Sequence, residues 1–486
     1  MLDTVWQRRY ILLTGIAGRE PWLGDRWRPF DLRFTFPDAR YLHHHRGATV
    51  VSTRTSRLLV VAYRVPPMLS PRSVQVHRLL CHWARGGHED RLICGDMDVA
   101  AWPDWDSGLC SVYPVRIPSR RVPSSEKARM LGFARLFPAQ NRLRSLAFEI
   151  WHFIEQIPDQ QRWWVPRARR AALDLLDRAP FDAVLSFGNP MSDHLVGLAL
   201  KRDTGLPWVA HFSDPWVDNP FWISSRPARR INLRLEREVV ANADRVVFVS
   251  EATRDLVMAK YPADWRSRSR VLPHYFDPGL YPPAASSSPT MVFRHLGTLY
   301  GPRTPEPLFR ALARLKKRDA GILEGVTFEM VGPCYPPSLM DGWLSPFDLE
   351  ATVTYRPTVP YLRSLNLMAG SNALILMDAP AEVNVFLPSK LIDYVGAGRP
   401  VLGITPARGP SADLIGEAGG IVIDPGDTDG IADAVRTYVD EHRAGTLTRR
   451  APDDRLRSRY DVNHIATEFR ELVDEAIVQS AMGNQP

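Results

Sequence analysis

The amino-acid sequence predicts an α/β protein in which two parallel-sheet domains face each other across a cleft, preceded by an N-terminal extension. Short apolar strands alternate with amphipathic helices in two separate sets, residues 58–280 and 291–450. Residues 281–290 between the sets are rich in Pro and Ser, as is typical of a linker. A chain of 486 residues is also too long for one ordinary domain.

The composition, 45% hydrophobic and 24% charged, is that of a globular protein. No apolar run reaches the roughly 18 residues that span a bilayer, and no signal-peptide pattern opens the chain. The four cysteines are scattered, without the spacing of a metal or redox site. We therefore expect a cytoplasmic protein in which the cysteines are packing residues.

The formal net charge is +7, and most of the basic excess is arginine. Such an excess suits nucleic acid, an anionic membrane surface or a phosphorylated substrate. Because no nucleic-acid-binding motif accompanies the charge, we expect no nucleic-acid partner.

Residues 1–57 differ from the rest of the chain, because they contain many arginines, three tryptophans and His43–His45 but little periodicity. We expect a poorly ordered extension. A metal site at the three histidines is less favoured, since consecutive side chains point in different directions and no acidic or cysteine partner is near.

The first domain begins with a βαβ unit: a strand at residues 58–62, a helix at 74–84 and a strand at 91–94. The loop after the first strand of a parallel sheet faces the ligand crevice, which makes Arg72 a candidate on the acceptor side. Helix capping by Ser70 or Ser73 is the more ordinary use of this loop.

Two further features of the first domain have competing interpretations. Acidic pairs at residues 96–98 and 104–106 could hold a divalent metal, but such pairs are common in polar loops, and we expect no metal. Residues 127–170 mix large aromatic side chains with arginines. This segment is either an insertion packed on its own domain or a surface that contacts the inner face of the plasma membrane or a lipid-linked substrate.

From Phe181 onward, strands and helices alternate again, and ligand groups should follow the strand ends. His194 and Asp214 are the candidates on this basis. Asp214 could instead cap the following turn, and His194 could be a structural residue of its helix. The strand-end residue Ser250 is expected to be only a helix N-cap.

In the second domain, residues 386–405 predict a loop, a short helix, a glycine turn and a buried strand. The helix N-terminus is an anion site, and Lys390 adds a positive charge in its first turn. Asp393, one turn further, could accept hydrogen bonds from sugar hydroxyls. The alternative is a core helix with a surface Lys390–Asp393 pair. A last amphipathic helix within residues 451–486 could pack back on the first domain.

Several motifs, in this order and spacing, resemble those of family-4 (group 1) glycosyltransferases, whose two Rossmann-like domains form the GT-B fold. The resemblance begins near residue 58 and extends to the C-terminus, and proteins of this appearance are often bacterial cell-surface polysaccharide transferases. The matching segments are GGHED, residues 208–216, 243–257, 295–312 and 359–377, and LPSKLIDYVGAGRPVLGI.

The resemblance implies transfer of a sugar from a nucleotide-sugar donor to a hydroxyl of a glycan or lipid-linked acceptor, with retention and without metal or cofactor. It implies that a glycine loop wraps the donor pyrophosphate and that Asp393 holds the ribose. The residues concerned are Arg303, Lys390 and Asp214 for catalysis, Gly297, Thr298, Gly301, Leu387, Ser389 and Asp393 for the donor, and Arg72 and His194 for the acceptor side.

The chain also departs from the family pattern of two glutamates separated by seven residues. The second acid is Asp393, and Val385 stands where the first belongs. Glu382 and Asn384, in the preceding loop, are the candidates to replace the missing acid. Two other functions stay open at this point: a nucleotide-sugar epimerase, which needs no acceptor, and a non-catalytic scaffold, which would not need Arg303, Lys390 and Asp393.

Overall fold

The computed structural model describes residues 55–66, 68, 70–96, 113–118, 153–221, 224–282, 290–335 and 339–483. Residues 1–54, the acidic pair at 104–106 and residues 127–152 of the aromatic and basic segment lie outside this set. The predicted fold class is confirmed, because the described strands form two separate parallel sheets of seven and six strands. No helix in the described ranges is long and apolar enough to cross a membrane.

The first sheet has the order β3-β2-β1-β4-β5-β6-β7, and every neighbouring pair is parallel. Its strands are β1 Leu58–Val61, β2 Arg91–Asp96, β3 Tyr113–Pro118, β4 Ala183–Gly188, β5 Trp208–Phe212, β6 Arg245–Phe248 and β7 Ser269–Val271. Its helices are α1 Pro71–Arg85, α2 Val165–Leu176, α3 Ser192–Thr204, α4 Arg226–Asn242 and α5 Glu251–Met258.

The second sheet has the order β12-β10-β8-β13-β14-β15, and β9 and β11 form a separate parallel pair. The strands are β8 Met291–Leu296, β9 Leu299–Tyr300, β10 Val326–Val331, β11 Cys334–Tyr335, β12 Val353–Arg356, β13 Ala373–Met377, β14 Val401–Ile404 and β15 Ile421–Ile423. The helices are α6 Glu306–Arg318, α7 Leu339–Leu344, α8 Tyr361–Ala369, α9 Ser389–Ala397, α10 Pro410–Glu417, α11 Thr428–Arg443 and α12 Asp454–Ser458.

The central strands are buried on both faces, as expected for a parallel sheet covered by helices. Every residue of β1, β4, β5, β13 and β14 is buried.

The helix α1 begins at Pro71, because the Ser70 hydroxyl accepts a hydrogen bond from the Ser73 amide at 3.2 Å and Pro71 is favoured in the first turn. The expected capping role of Ser70 is therefore observed.

The last helix, α13 Val462–Gly483, follows the second sheet in sequence but packs on the first. Phe469 is fully buried there, with its ring centroid 5.8 Å from that of Trp83 in α1. The Trp83 indole donates to the Ala466 carbonyl at 3.1 Å, and Arg470 pairs with Asp90. This helix thus completes the core of the first domain.

Candidate active site

Two adjoining cavities lie between the two sheets. The smaller, of about 270 Å³, is lined by Arg78, Tyr361 and Asp393, among others. The larger, of about 530 Å³, is lined by Arg72, Asp214 and Arg303, among others. Both are bounded by the first turn of α1, by the loop that follows β8 and by the first turn of α9. These shared walls make them two parts of one cleft.

The conformation of the loop after β8 requires glycine at positions where two backbone segments come close together. Gly297 has a φ of +146°, and its amide donates to the Val331 carbonyl at 2.8 Å. Gly332, the residue after Val331, has a φ of +133°, and a Cβ there would lie 2.4 Å from the Gly297 carbonyl oxygen. Gly301, with a φ of +52°, turns the chain between Tyr300 and Arg303. The backbone therefore approaches the cleft without intervening side chains.

Lys390 projects from the first turn of α9 towards this loop. A Cβ built on Gly297 would lie 3.2 Å from the Lys390 Nζ. The Nζ atom is buried, and the described residues give it no hydrogen-bond partner. Burial, and secondarily the charge of Arg303, lower the pKa of Lys390 to about 7. A buried cation without a partner is unfavourable, so the site is suited to an anion.

Arg303 is held at the edge of the larger cavity. Its Nη2 lies 3.3 Å from Oδ1 of Asp378, and its guanidinium lies 5.3 Å from the Tyr300 ring centroid. The Asn384 amide and the Thr405 hydroxyl each donate to Asp378 Oδ2 at 3.0 Å. The supporting carboxylate is thereby fixed, and it orients Arg303.

The two residues suggested as replacements for the missing acid do not line either cavity. Asn384 is bonded to Asp378, and Glu382 pairs with Arg408 at 3.2 Å on the surface. The carbonyl of Val385, which stands at the acid's position, instead accepts the Thr253 hydroxyl at 3.0 Å. Leu387 and Ser389, by contrast, line the larger cavity, as do Gly297 and Thr298.

Asp393 lines the smaller cavity, but its partner is not Lys390. Its Oδ1 lies 2.8 Å from Nη2 of Arg78, which belongs to α1 of the first domain. Both side chains are buried, with exposed fractions of 4% for Arg78 and 10% for Asp393. The Tyr361 hydroxyl adds a contact of 3.3 Å to the same oxygen. Burial raises the pKa of Asp393, while the Arg78 charge acts in the opposite direction.

Sequence reasoning missed Arg78, although one signal was available. It is a charged residue on the core-facing side of α1, whose neighbours Leu79 and Leu80 are buried. Its Nη1 also donates to the Tyr275 carbonyl at 2.7 Å. An arginine at such a position requires an acidic or carbonyl partner, and here it has both.

Asp214 lies in the larger cavity, after the end of β5, as expected. The Ser213 hydroxyl donates to its Oδ2 at 2.9 Å. Burial raises the pKa of Asp214, and the positive charge of Arg72 opposes that shift. Asp214 and Arg72 therefore share one wall of the cleft, with Asn189 beside them.

The structure does not bring His194 into either cavity. The residue is fully buried, its Nδ1 lies 2.9 Å from the Ser186 hydroxyl, and its ring stacks on Phe212 with centroids 4.3 Å apart. Burial lowers its pKa to about 3. His274, which the sequence reasoning did not single out, lines the larger cavity instead.

Comparison with known proteins finds one family match, which covers part of the chain. Residues 73–273 match the model of the glycosyl transferase 4-like domain. A search of curated proteins found no match.

Among the described residues, no group of three or more His, Cys, Asp or Glu side chains is arranged to hold a metal.

Several solved structures share the fold across both domains. Sucrose-phosphate synthase from Thermosynechococcus elongatus has a TM-score of 0.62 at 14% identity, covering 87% of this chain and 100% of that one. HepE from Anabaena, solved with UDP and glucose, has a TM-score of 0.58 at 15% identity, covering 86% and 100%. The lipopolysaccharide outer core galactosyltransferase WaaB has a TM-score of 0.52 at 12% identity, covering 86% and 99%.

Proposed function

We infer the reaction from the class of enzyme: the chain is a glycosyltransferase of the GT-B fold, and its residues 73–273 are a glycosyl transferase 4-like domain. We propose that it moves a sugar from a nucleotide-sugar donor to a hydroxyl of a glycan or lipid-linked acceptor. The domain match favours this reaction over an epimerase or a non-catalytic scaffold.

The observation that carries the proposal is the buried, unpartnered ammonium of Lys390 beside the Gly297 loop. A donor diphosphate supplies the anion that this group lacks, and the N-terminus of α9 adds further positive potential. The structure of HepE with UDP and glucose supports a donor of this type for the shared fold.

In the proposed reaction, the bond between the sugar carbon and the donor phosphate oxygen breaks, and the nucleoside diphosphate leaves with the electron pair. The acceptor hydroxyl attacks on the leaving-group face, which retains the anomeric configuration. Its proton passes to the departing phosphate. Arg303 and Lys390 stabilise the charge that develops on this phosphate, and such preorganised groups each contribute about 10²–10³ in rate. With these cations in place, the reaction needs no metal.

We assign the smaller cavity to the nucleoside. Apolar side chains of Val331, Val359 and Met368 line it beside Asp393. In this assignment the Asp393 carboxylate accepts hydrogen bonds from the ribose hydroxyls while Arg78 fixes its orientation. Asp214, on the opposite wall of the larger cavity, contacts the acceptor. The same proposal includes a cytoplasmic role in cell-envelope polysaccharide synthesis, with residues 127–170 in contact with an anionic membrane. This part of the proposal is supported by the sequence alone.

The test is release of nucleoside diphosphate from a panel of nucleotide sugars, with and without lipid extract and with and without EDTA. We expect release from one donor class, stimulated by an acceptor in the extract and unaffected by EDTA. Arg303→Ala should lower turnover about 10²-fold or more, whereas Arg310→Ala, an exposed control on α6, should not. Release that EDTA abolishes would contradict the metal-free mechanism, and no release from any donor would contradict the transferase proposal.

A further inference from the structure

Arg72 is a buried arginine whose guanidinium has few hydrogen-bond partners among the described residues. It lies in the first turn of α1, is 6% exposed and lines the larger cavity. Its Nη1 lies 3.3 Å from Nδ1 of His211, whereas its Nε and Nη2 have no hydrogen-bond partner among the described residues. A guanidinium carries five N–H donors, so most of this group's hydrogen-bonding capacity is unused.

The charged groups around Arg72 act on it only through space. Among them Asp214 favours the cation most strongly, and Asp193 favours it more weakly. Arg64, which lines the same cavity, repels it. No described carboxylate forms an ion pair with Arg72. Burial, and secondarily the Arg72 charge, hold the pKa values of His211 and His274 well below the usual range, so both imidazoles are neutral and add no charge to this wall. Buried donors without an acceptor are costly, so a bound anion that accepts hydrogen bonds from Nε and Nη2 of Arg72 would stabilise this wall.

The α1 helix adds to the positive potential at the same place. It has 15 residues, and its first turn, with Ser70 and Pro71, borders the cavity beside Arg72. The positive end of the helix dipole therefore coincides with the unpaired guanidinium. Planar, forked guanidinium donors are suited to phosphate oxygens.

We propose that Arg72 binds a second anionic group, a phosphate carried by the acceptor. The inference rests on the proposed function, in which the donor diphosphate lies at Lys390 and Arg303 on the second domain. Arg72 belongs to the first domain and shares its wall with Asp214 and Asn189, where the acceptor binds. A phosphate held there positions the acceptor so that its hydroxyl faces the donor sugar.

The experiment uses inorganic phosphate as the probe on the full-length enzyme. The donor site is first saturated with whichever nucleoside diphosphate raises the melting temperature most, and phosphate is then titrated. The variants are Arg72→Met, Arg72→Lys and the control Arg85→Gln. Arg85 lies on the same helix, is half exposed and pairs with Asp277 at 3.4 Å, outside the cavity lining. Arg72→Met removes an unpaired buried charge, so its melting temperature should not fall.

Wild type and Arg85→Gln should gain further stability from phosphate. We expect Arg72→Met to lose phosphate binding, and Arg72→Lys, which keeps the charge but not the fork, to bind about tenfold more weakly. In both Arg72 variants the affinity for nucleoside diphosphate should change less than about threefold. If Arg72 bound the donor instead, its removal would lower that affinity about tenfold or more. In the transfer assay, phosphate should compete with the acceptor and not with the donor.

Two outcomes would overturn the proposal. Phosphate without effect on the nucleotide-saturated wild type would show that the site takes no second anion. An equal loss of diphosphate and phosphate affinity in Arg72→Met would assign Arg72 to the donor. If no nucleoside diphosphate binds, the proposed function fails, and titration of phosphate into the free enzyme still decides whether Arg72 holds an anion.

Discussion

At the scale of single residues, three of the basic side chains that line the cleft differ in how they are paired. Arg78 is bound to Asp393 at 2.8 Å, Arg303 has a longer contact of 3.3 Å with Asp378, and the Lys390 Nζ has no hydrogen-bond partner in the described part of the chain. A buried salt bridge fixes the orientation of both side chains, whereas a buried cation without a partner favours a bound anion. The pairing thus distinguishes an oriented carboxylate, Asp393, from a group suited to an anion, Lys390.

Lys390 gives the cleft a pH dependence. Its pKa of about 7 in the free enzyme means that it is charged below pH 7 and neutral above. A bound diphosphate favours the charged form and should raise this pKa, so binding takes up a proton. We therefore expect nucleoside diphosphate affinity to be highest below pH 7 and to fall above it. Calorimetry in two buffers of different ionisation enthalpy at pH 8 measures the uptake. Constant affinity from pH 6 to pH 9, without proton uptake, would be inconsistent with this role.

The Arg78–Asp393 pair should behave as one unit. Arg78→Gln and Asp393→Asn each leave one buried charge unpaired, which typically costs about 3–5 kcal/mol of unfolding free energy. The double variant removes both charges, so its loss should be clearly smaller than the sum of the two. Urea unfolding of the four proteins gives the coupling energy. Additive losses would indicate that the two side chains do not interact in solution.

At the scale of elements, the sequence was sufficient for most strands of the two large sheets and for the glycine that ends α9, whereas β3, β9 and β11 were not predicted. The run LLVV of β1 is buried along its whole length, and the alternation with helices leaves a parallel sheet as the consistent arrangement. Gly398 ends α9 with a φ of +63°, as a glycine after a helix predicts. The hydrophobicity of a strand and the conformational freedom of a glycine depend on residues close together in sequence, so a short stretch of sequence is enough to predict both.

Contacts between distant elements could not be predicted in the same way. Arg78 and Asp393 are 315 positions apart, and no periodicity links them. The rule that ligand groups follow strand ends correctly placed Asp214 in the cleft, but it does not specify where a side chain points. His194 follows β4 and still turns into the core, where it stacks on Phe212. The loss of the acid at Val385 was visible in the sequence, whereas the use of its carbonyl by Thr253 was not.

The contact between the loops after β8 and β10 is testable at Gly332. A Cβ there would lie 2.4 Å from the Gly297 carbonyl oxygen, and the φ of +133° also disfavours a side chain. Gly332→Ala should displace the Gly297 loop, lower stability by about 1–3 kcal/mol and weaken nucleotide binding. Gly416→Ala in α10 is the matched control, because a Cβ there meets nothing within 4 Å. Unchanged nucleotide affinity in Gly332→Ala would separate this loop contact from the donor site.

At the scale of the molecule, the site exists only because the two sheets share one cleft. Arg78 reaches Asp393 from the first domain, Thr253 binds the Val385 carbonyl, and Phe221 stacks on Phe386 with ring centroids 5.3 Å apart. The α13 helix returns from the second sheet and fills the core of the first. These contacts hold the smaller cavity and the wall with Arg72 and Asp214 against each other, which is the arrangement that the proposed transfer between two substrates requires.

The proposed donor site depends most directly on Lys390 as the group that binds the diphosphate. Calorimetric titration of wild type, Lys390→Met and the exposed control Lys317→Met with the preferred nucleoside diphosphate, at pH 6.5, measures this contribution. A hydrogen bond to a charged group contributes about 1.5–3 kcal/mol, so Lys390→Met should bind roughly 10- to 100-fold more weakly. Lys317→Met should bind as wild type does. Equal affinity of Lys390→Met and wild type would contradict the assignment of the donor site.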